Sequence, residues 1–270
     1  ETNSAKSHDR YLFVNRTIQT RMRLDTCKSR YFAYVDIISG CSKNYPKNSH
    51  ALLLGLGGGS IANELTNNGF QVDVCELDER IHEAAKKYFF LNKKINVIID
   101  DARHFINAEV QKKGFKLKYD LIVFDVFRGE ETPNHVFTKE CLEAVKQLLK
   151  KDGMIVINGN GYWEGKAGRG MRSVCKTLMS VGFKVDVVPT DKKEEYRNLE
   201  FFASLDRHHA NFISHLTQLQ TSVLSDAEIL SDDKPRLDIL NAEANRQWRL
   251  ACINYFRYEY YSGKTLPLFY

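Results

Sequence analysis

From Ala51 onward, hydrophobic and polar positions alternate on a regular scale. Short apolar runs at 51–54, 71–75, 96–99, 121–124, 154–157 and 184–188 are separated by amphipathic stretches at about 60–68, 79–89, 102–112, 137–150 and 168–181. Nearly continuous apolar strands alternating with helices predict a mostly parallel sheet covered on both faces, a doubly wound α/β fold. A further run at 198–204 predicts the antiparallel edge of that sheet. Ahead of it, 11–14 and 17–23 read as a β-hairpin around Asn15-Arg16, with 1–10 loose. Residues 31–39 carry helical spacing and Gly40 follows as a stop. After 207 the pattern is helical, with a long helix around 242–258. The predicted division is an arm over 1–48, a catalytic α/β domain over 49–205 and a helical extension over 206–270.

Composition narrows the function classes. With 43% hydrophobic and 27% charged residues, the 270-residue chain is a globular protein rather than a disordered one. Its formal charge of +5 is spread among acids, so no nucleic-acid partner is expected. Six well-separated cysteines form no C-x-x-C pair and predict reduced thiols in a cytoplasmic setting. No apolar run approaches the roughly 18 residues of a membrane span. The chain starts at Glu1 without Met, as expected of a processed protein or part of a longer one. The eight histidines show no ligand spacing, so no metal is expected.

The candidate chemistry lies at the strand ends. The first strand of the α/β region runs into Gly55-Leu56-Gly57-Gly58-Gly59-Ser60, directly before a helix. Such a loop lets backbone approach a ligand closely, with free N–H groups of the helix start facing the cleft. The second strand ends at Glu76, about 20 residues on, where a carboxylate can accept both hydroxyls of a ribose. The third ends at Asp100-Asp101-Ala102, where Asp101, with the Ala102 N–H nearby, suits an adenine amino group and Asp100 can cap the next helix. Asp78 is expected to cap the helix after Glu76. Asp125 falls at the end of a central strand, where desolvation can raise a carboxylate pKa and make it a base. A pyrophosphate dinucleotide fits less well, because the third glycine of G-x-G-x-x-G is Ser60.

These residues together resemble the spermidine synthase family of the S-adenosylmethionine methyltransferase-like Rossmann fold. The similarity runs from about Tyr11 to Leu205. The hairpin ending in Ile18-Gln19 is similar to the family's Ile-Gln, and Phe32-Ala33-Tyr34-Val35-Asp36 resembles its Tyr-His-Glu segment. The run from Asn158 to Trp163 stands where the family carries Gln-Gly-Glu-Ser-x-Trp. The resemblance implies a seven-stranded sheet and transfer of an aminopropyl group from decarboxylated S-adenosylmethionine to an amine. It implies Asp125 as catalytic base and a nucleoside held by Gln19, Gly55, Gly57, Gly58, Gly59, Glu76, Asp101, Ala102 and Asp125. The acceptor would meet Tyr34, Asp36, Arg128, Asn158 and Trp163.

The departures concentrate on the acceptor side. The family's loop aspartate is Gly58, and a second acid after the fourth strand is Arg128, a cation that repels a diamine unless it turns away. Glu130, Glu131 and Asp191 are candidates to restore negative charge. A methyltransferase using intact S-adenosylmethionine, or a non-catalytic domain of a larger membrane protein, are the alternatives. Ser231-Asp232-Asp233-Lys234-Pro235 resembles a turn of relatives fused behind membrane helices. A homodimer through the N-terminal arm is implied by the resemblance. The aromatic residues Tyr255, Phe256, Tyr258, Tyr260 and Tyr261 are expected to pack the last helix onto the domain.

Overall fold

The computed structural model describes residues 2–4, 7–14, 17–24, 32–112, 118–127, 132–221 and 224–259. Strands β1 (Thr2–Ser4), β2 (Ser7–Val14) and β3 (Thr17–Arg23) form a small antiparallel sheet. The hairpin strands stand where the alternation placed them, but residues 2–4 and 7–10, expected to be loose, are in strands. β1 adds to β2 through backbone pairing, which needs no apolar pattern. Helix α1 (Ala33–Ser42) runs through Gly40. Glycine in a helix costs about 1 kcal/mol, yet burial of Cys41 and Ser42 beyond it carries the helix on.

The central sheet is assembled from β4 (His50–Leu54), β5 (Gln71–Glu76), β6 (Asn96–Ile99), β7 (Tyr119–Phe124), β8 (Leu149–Asn160), β9 (Lys184–Pro189) and β10 (Asn198–Ser204). Its order is β6-β5-β4-β7-β8-β10-β9. Helices α2 (Ser60–Asn67), α3 (Glu79–Tyr88), α4 (Ala102–Gln111), α5 (Lys139–Leu148) and α6 (Arg169–Ser180) cover it. β10 is antiparallel, as expected, but it is not the edge: it inserts between β8 and β9, which leaves β9 outermost. The reason is legible in its burial. Leu199 and Phe202 point to opposite faces, and both are buried, which an interior strand requires.

One core lies between the sheet and α4, α5 and α6, with Phe105, Leu142 and Val174 at its centre. The other lies under α1, α2 and α3 and includes Ile38, Leu65, Ala85 and Phe202. Beyond β10 the helical expectation holds only in part. A single turn, α7 (Ala210–Ile213), is followed by irregular chain, and α8 (Leu237–Glu259) is longer than expected. Asn241 of α8 sits directly over Gly170 of α6, where any β-carbon would strike it. No helix among the described residues is long and apolar enough to cross a membrane. The side chains of the C-terminal aromatic group lie outside the described residues.

From β4 the chain runs outward to β5 and β6 and then returns to β7 on the other side of β4, so strand order reverses between β4 and β7. Ligands of open α/β sheets bind in the crevice at such a point.

Candidate active site

The crevice is built by a loop that cannot carry side chains. Gly55 has φ +87°, and a β-carbon there would fall on the Asp125 carbonyl oxygen. Glycine therefore lets the β4 loop cross the end of β7 in contact with its backbone. Gly58 donates its N–H to Thr20 Oγ1 at 2.7 Å, and a β-carbon on it would stand 2.6 Å from Thr20 Cγ2. The N-terminal hairpin is thus seated on the loop. This explains why the position that resembles an acid-bearing one is glycine here. Gly58 and Gly59 face Thr20 and Leu91 and do not line the crevice, whereas Gly55 and Gly57 do.

Two adjoining hollows open on the crevice. The first, of about 220 Å³, is lined by Gly55, Glu76, Asp101 and Ala102. The second, of about 250 Å³, is lined by Tyr34, Asn158, Asn160, Arg197 and Trp248. Gln19, Leu56, Gly57, Asp125 and Phe127 line both, so the partition between the hollows carries the Asp125 side chain.

In the first hollow each acid already has a fixed place. Glu76, buried at the end of β5, accepts the Leu56 N–H at 2.8 Å on one oxygen and the Asp78 N–H at 2.9 Å on the other. Each carboxylate oxygen has a second lone pair, so this grip orients the group and leaves it able to accept ligand hydroxyls. Asp78 caps α3 as expected, accepting the Arg80 N–H at 2.9 Å. The cap of α4 is one of two adjacent candidates. Asp101, not Asp100, takes the Arg103 and His104 N–H groups at 2.9 and 3.1 Å, while Asp100 pairs with the His104 ring. A cap must sit one residue before the helix, and α4 starts at Ala102. The second Asp101 oxygen meets His135 Nε2 at 2.9 Å. Burial raises the Asp101 pKa, but hydrogen bonds from His135, His104 and Arg103 outweigh it and hold the group below its ordinary value.

Asp125 behaves differently. Burial pushes its pKa up to about 6, against a hydrogen bond from Asn158 and with a further raising effect of the Glu76 charge. Asn158 Nδ2 donates to Asp125 at 2.8 Å, and Asn158 Oδ1 accepts from Asn198 Nδ2 at 2.8 Å. That chain fixes which face of the Asn158 amide meets the carboxylate.

Two expected acceptor residues, Asp36 and Trp163, stand elsewhere. Asp36 is exposed and lines neither hollow. It lies two residues beyond the inward Tyr34, about 200° around the helix at 3.6 residues per turn. Trp163 is 3% exposed and packs in the core against Phe201 with ring centroids 6.3 Å apart, so its indole holds the sheet rather than the crevice. Arg128, with Glu130 and Glu131, lies outside the described residues. Asp191 is exposed and caps a turn by accepting the Lys193 N–H.

Sequence reasoning missed Thr20, His135, Asn198 and Glu200. Glu200 had a visible signal, a lone charge inside Leu199-Glu200-Phe201-Phe202-Ala203. It is fully buried, and neither carboxylate oxygen has a hydrogen-bond partner among the described residues. No group of three His, Cys, Asp or Glu residues among the described residues is placed to hold a metal ion.

Comparison with known proteins follows this geometry. The polyamine aminopropyltransferase of Vibrio vulnificus is 34% identical over 164 residues, which cover 56% of this chain and 53% of that protein. An N-terminal histidine N-methyltransferase of Emericella nidulans is 39% identical over 113 residues, 42% of this chain and 20% of that protein. The chain thus spans at most about half the length of these curated relatives. A crystal structure of a probable spermidine synthase from Corynebacterium glutamicum superposes with a TM-score of 0.69 at 19% identity, covering 86% of this chain and 90% of that one, which shows the shared fold. The family profile of the spermine/spermidine synthase domain matches residues 31–211, from the start of α1 through all seven strands of the central sheet, and the chain belongs to that family.

Proposed function

We propose that the chain transfers an aminopropyl group from decarboxylated S-adenosylmethionine to an amine. The observation that carries this reading is the position of Asp125, on the wall shared by the two hollows. The first hollow takes the nucleoside: Glu76 accepts the ribose hydroxyls, Asp101 and the Ala102 N–H meet the adenine, and Gln19, Gly55 and Gly57 close over it. The second hollow takes the amine, beside Tyr34 and Asn158.

When bound, the donor supplies a carbon activated by its sulfonium. The residues supply position and a proton acceptor. The amine nitrogen forms a bond to that carbon, the carbon–sulfur bond breaks with its electron pair going to sulfur, and the proton lost by nitrogen goes to Asp125. A carboxylate with a pKa of about 6 is ionised at neutral pH and still basic enough for this role. Asn158 holds it in place.

The relative from Emericella supports a second reading, methyl transfer from intact S-adenosylmethionine. The charge of the crevice favours the first. The intact donor adds a carboxylate beside the sulfonium, and the described lining offers acids there. Arg197, the one fixed cation among the described lining residues, is committed to the Gly161 carbonyl at 2.7 Å and Glu194 at 2.9 Å.

The three-part division at 48 and 205, a homodimer through the N-terminal sheet and a cytoplasmic location, alone or as part of a membrane protein, complete the reading. The deciding experiment is turnover with each donor form and a panel of aliphatic amines, followed by mass spectrometry. Methylthioadenosine with an aminopropylated amine supports aminopropyl transfer, and S-adenosylhomocysteine refutes it.

A further inference from the structure

Among its described lining residues the acceptor hollow carries Asp125 and the exposed Glu195, but no acid at Gly58 and not Asp36. A further carboxylate, that of Glu200, is buried in the sheet next to Asn158 of its wall. On β10, Glu200 pairs in register with Asn158 of β8 on one side and Val188 of β9 on the other. Residues opposite one another in a ladder project to the same face. Glu200 therefore shares a face with Asn158, and Asn158 is bonded to Asp125. The three form one row across the carboxyl ends of the strands, spanning two inter-strand spacings of about 4.8 Å each. Tyr34, Asn158 and Asn198 of this neighbourhood line the second hollow.

Glu200 is 0% exposed, and both its oxygens lack hydrogen-bond partners among the described residues. An unpartnered buried carboxylate is costly and stays protonated until a cation offsets its charge. The titratable groups around it do not offset it. Tyr34 and Cys41 of α1 are both pushed up chiefly by burial, Tyr34 next by Asp125, and ionising Glu200 would push both further the same way, so they are neutral at pH 7. Asp125 is anionic and pushes Glu200 further up, after burial. The strands alongside contribute Asn158 and Val188, which do not titrate.

We infer that Glu200 is the buried counter-charge for the distal ammonium of a short aliphatic diamine, a role for which neither Gly58 nor the outward-facing Asp36 supplies a carboxylate. This rests on reading the second hollow as the amine site. One ammonium end gives up its proton beside Asp125 to become the nucleophile. The other stays charged further along the row, and its arrival ionises Glu200, releasing a proton to solvent. Diamines are thereby preferred over monoamines of equal length.

The test is calorimetric titration of methylthioadenosine-saturated protein with butane-1,4-diamine and with butylamine at pH 7, in two buffers of different ionisation enthalpy. Wild type is expected to bind the diamine at least about tenfold more tightly than butylamine. Glu200→Gln is expected to keep methylthioadenosine affinity within about twofold, lose that preference, and release about one proton fewer per diamine bound. Should the glutamine variant not fold, Glu200→Met, suited to the apolar strand, carries the same expectations. Equal diamine affinity and equal proton release in wild type and variant overturn the inference. So does a wild type that binds the nucleoside but no diamine at millimolar concentration. A wild type that binds no nucleoside refutes the functional reading itself, a separate result.

Discussion

The acids on the two sides of the crevice differ in character. In the nucleoside hollow, Glu76 and Asp101 receive backbone N–H groups and are locked before any ligand arrives. On the acceptor side, among the described residues, Asp125 of the hollow's wall meets the Asn158 amide and Glu200, buried in the sheet next to Asn158, meets no donor, and burial raises the pKa of both. Satisfied carboxylates are rigid, ionised acceptors that suit neutral hydroxyl and amino groups. Unsatisfied ones store a demand for positive charge, which suits an ammonium. The contrast assigns a ligand class to each side without any ligand present.

The largest effect that would break this contrast is expected at Glu76. Glu76→Ala leaves the Leu56 and Asp78 N–H groups unpaired and should weaken methylthioadenosine binding by about 100-fold or more, measured by calorimetry. Unchanged affinity would move the ribose elsewhere. Next comes Asp125→Asn, expected to lower turnover by about 10²–10⁴-fold while nucleoside affinity stays within a few-fold. Turnover equal to wild type would remove Asp125 as base.

The raised pKa of Asp125 also sets a pH profile. A base must be ionised, so kcat/KM should rise with pH and level off above about 6, and Asp125→Asn should flatten that limb. Stability runs the other way. The folded-state pKa lies above the unfolded value of 3.8, so the folded chain binds more protons and loses stability as pH rises between 3.8 and about 6. Asp125→Asn should therefore be the more stable protein at pH 7, by about 1–3 kcal/mol, in denaturant titrations at pH 4 and pH 7. A difference that is the same at both pH values would contradict the assignment.

Smaller effects sharpen the comparison. Gly58→Asp reintroduces an acid at the loop but forces Thr20 aside, so it should lower the melting temperature by several degrees, about 1–3 kcal/mol, without improving amine affinity. Trp163→Phe, in the core, should cost stability and leave the KM for the amine unchanged.

Much of this architecture was readable from the chain. The period of apolar runs placed every strand of the central sheet, because strands buried on both faces must be apolar almost throughout. Glu76 and Asp125 could be set on one crevice because both stand at the carboxyl tips of parallel strands. What the period does not carry is neighbour order. β10 follows β9 in the chain yet lies inside it in the sheet, so Glu200 could not be set beside Asn158 from spacing alone. Asp36 and Trp163 line neither hollow for a related reason: a matching position in a motif does not fix which face of a helix or loop turns inward. The cap of α4 rested on a one-residue choice that only helix geometry settles.

The central claim is that carboxylate-tipped strands on one side of Asp125 hold a nucleoside whose reactive end points at Asp125. A crystal structure with bound methylthioadenosine tests it most directly. The account predicts ribose hydroxyls within hydrogen-bond distance of Glu76 and the sulfur facing the Asp125 carboxylate. A nucleoside seated elsewhere, or a first hollow still empty at saturating concentration, would contradict it.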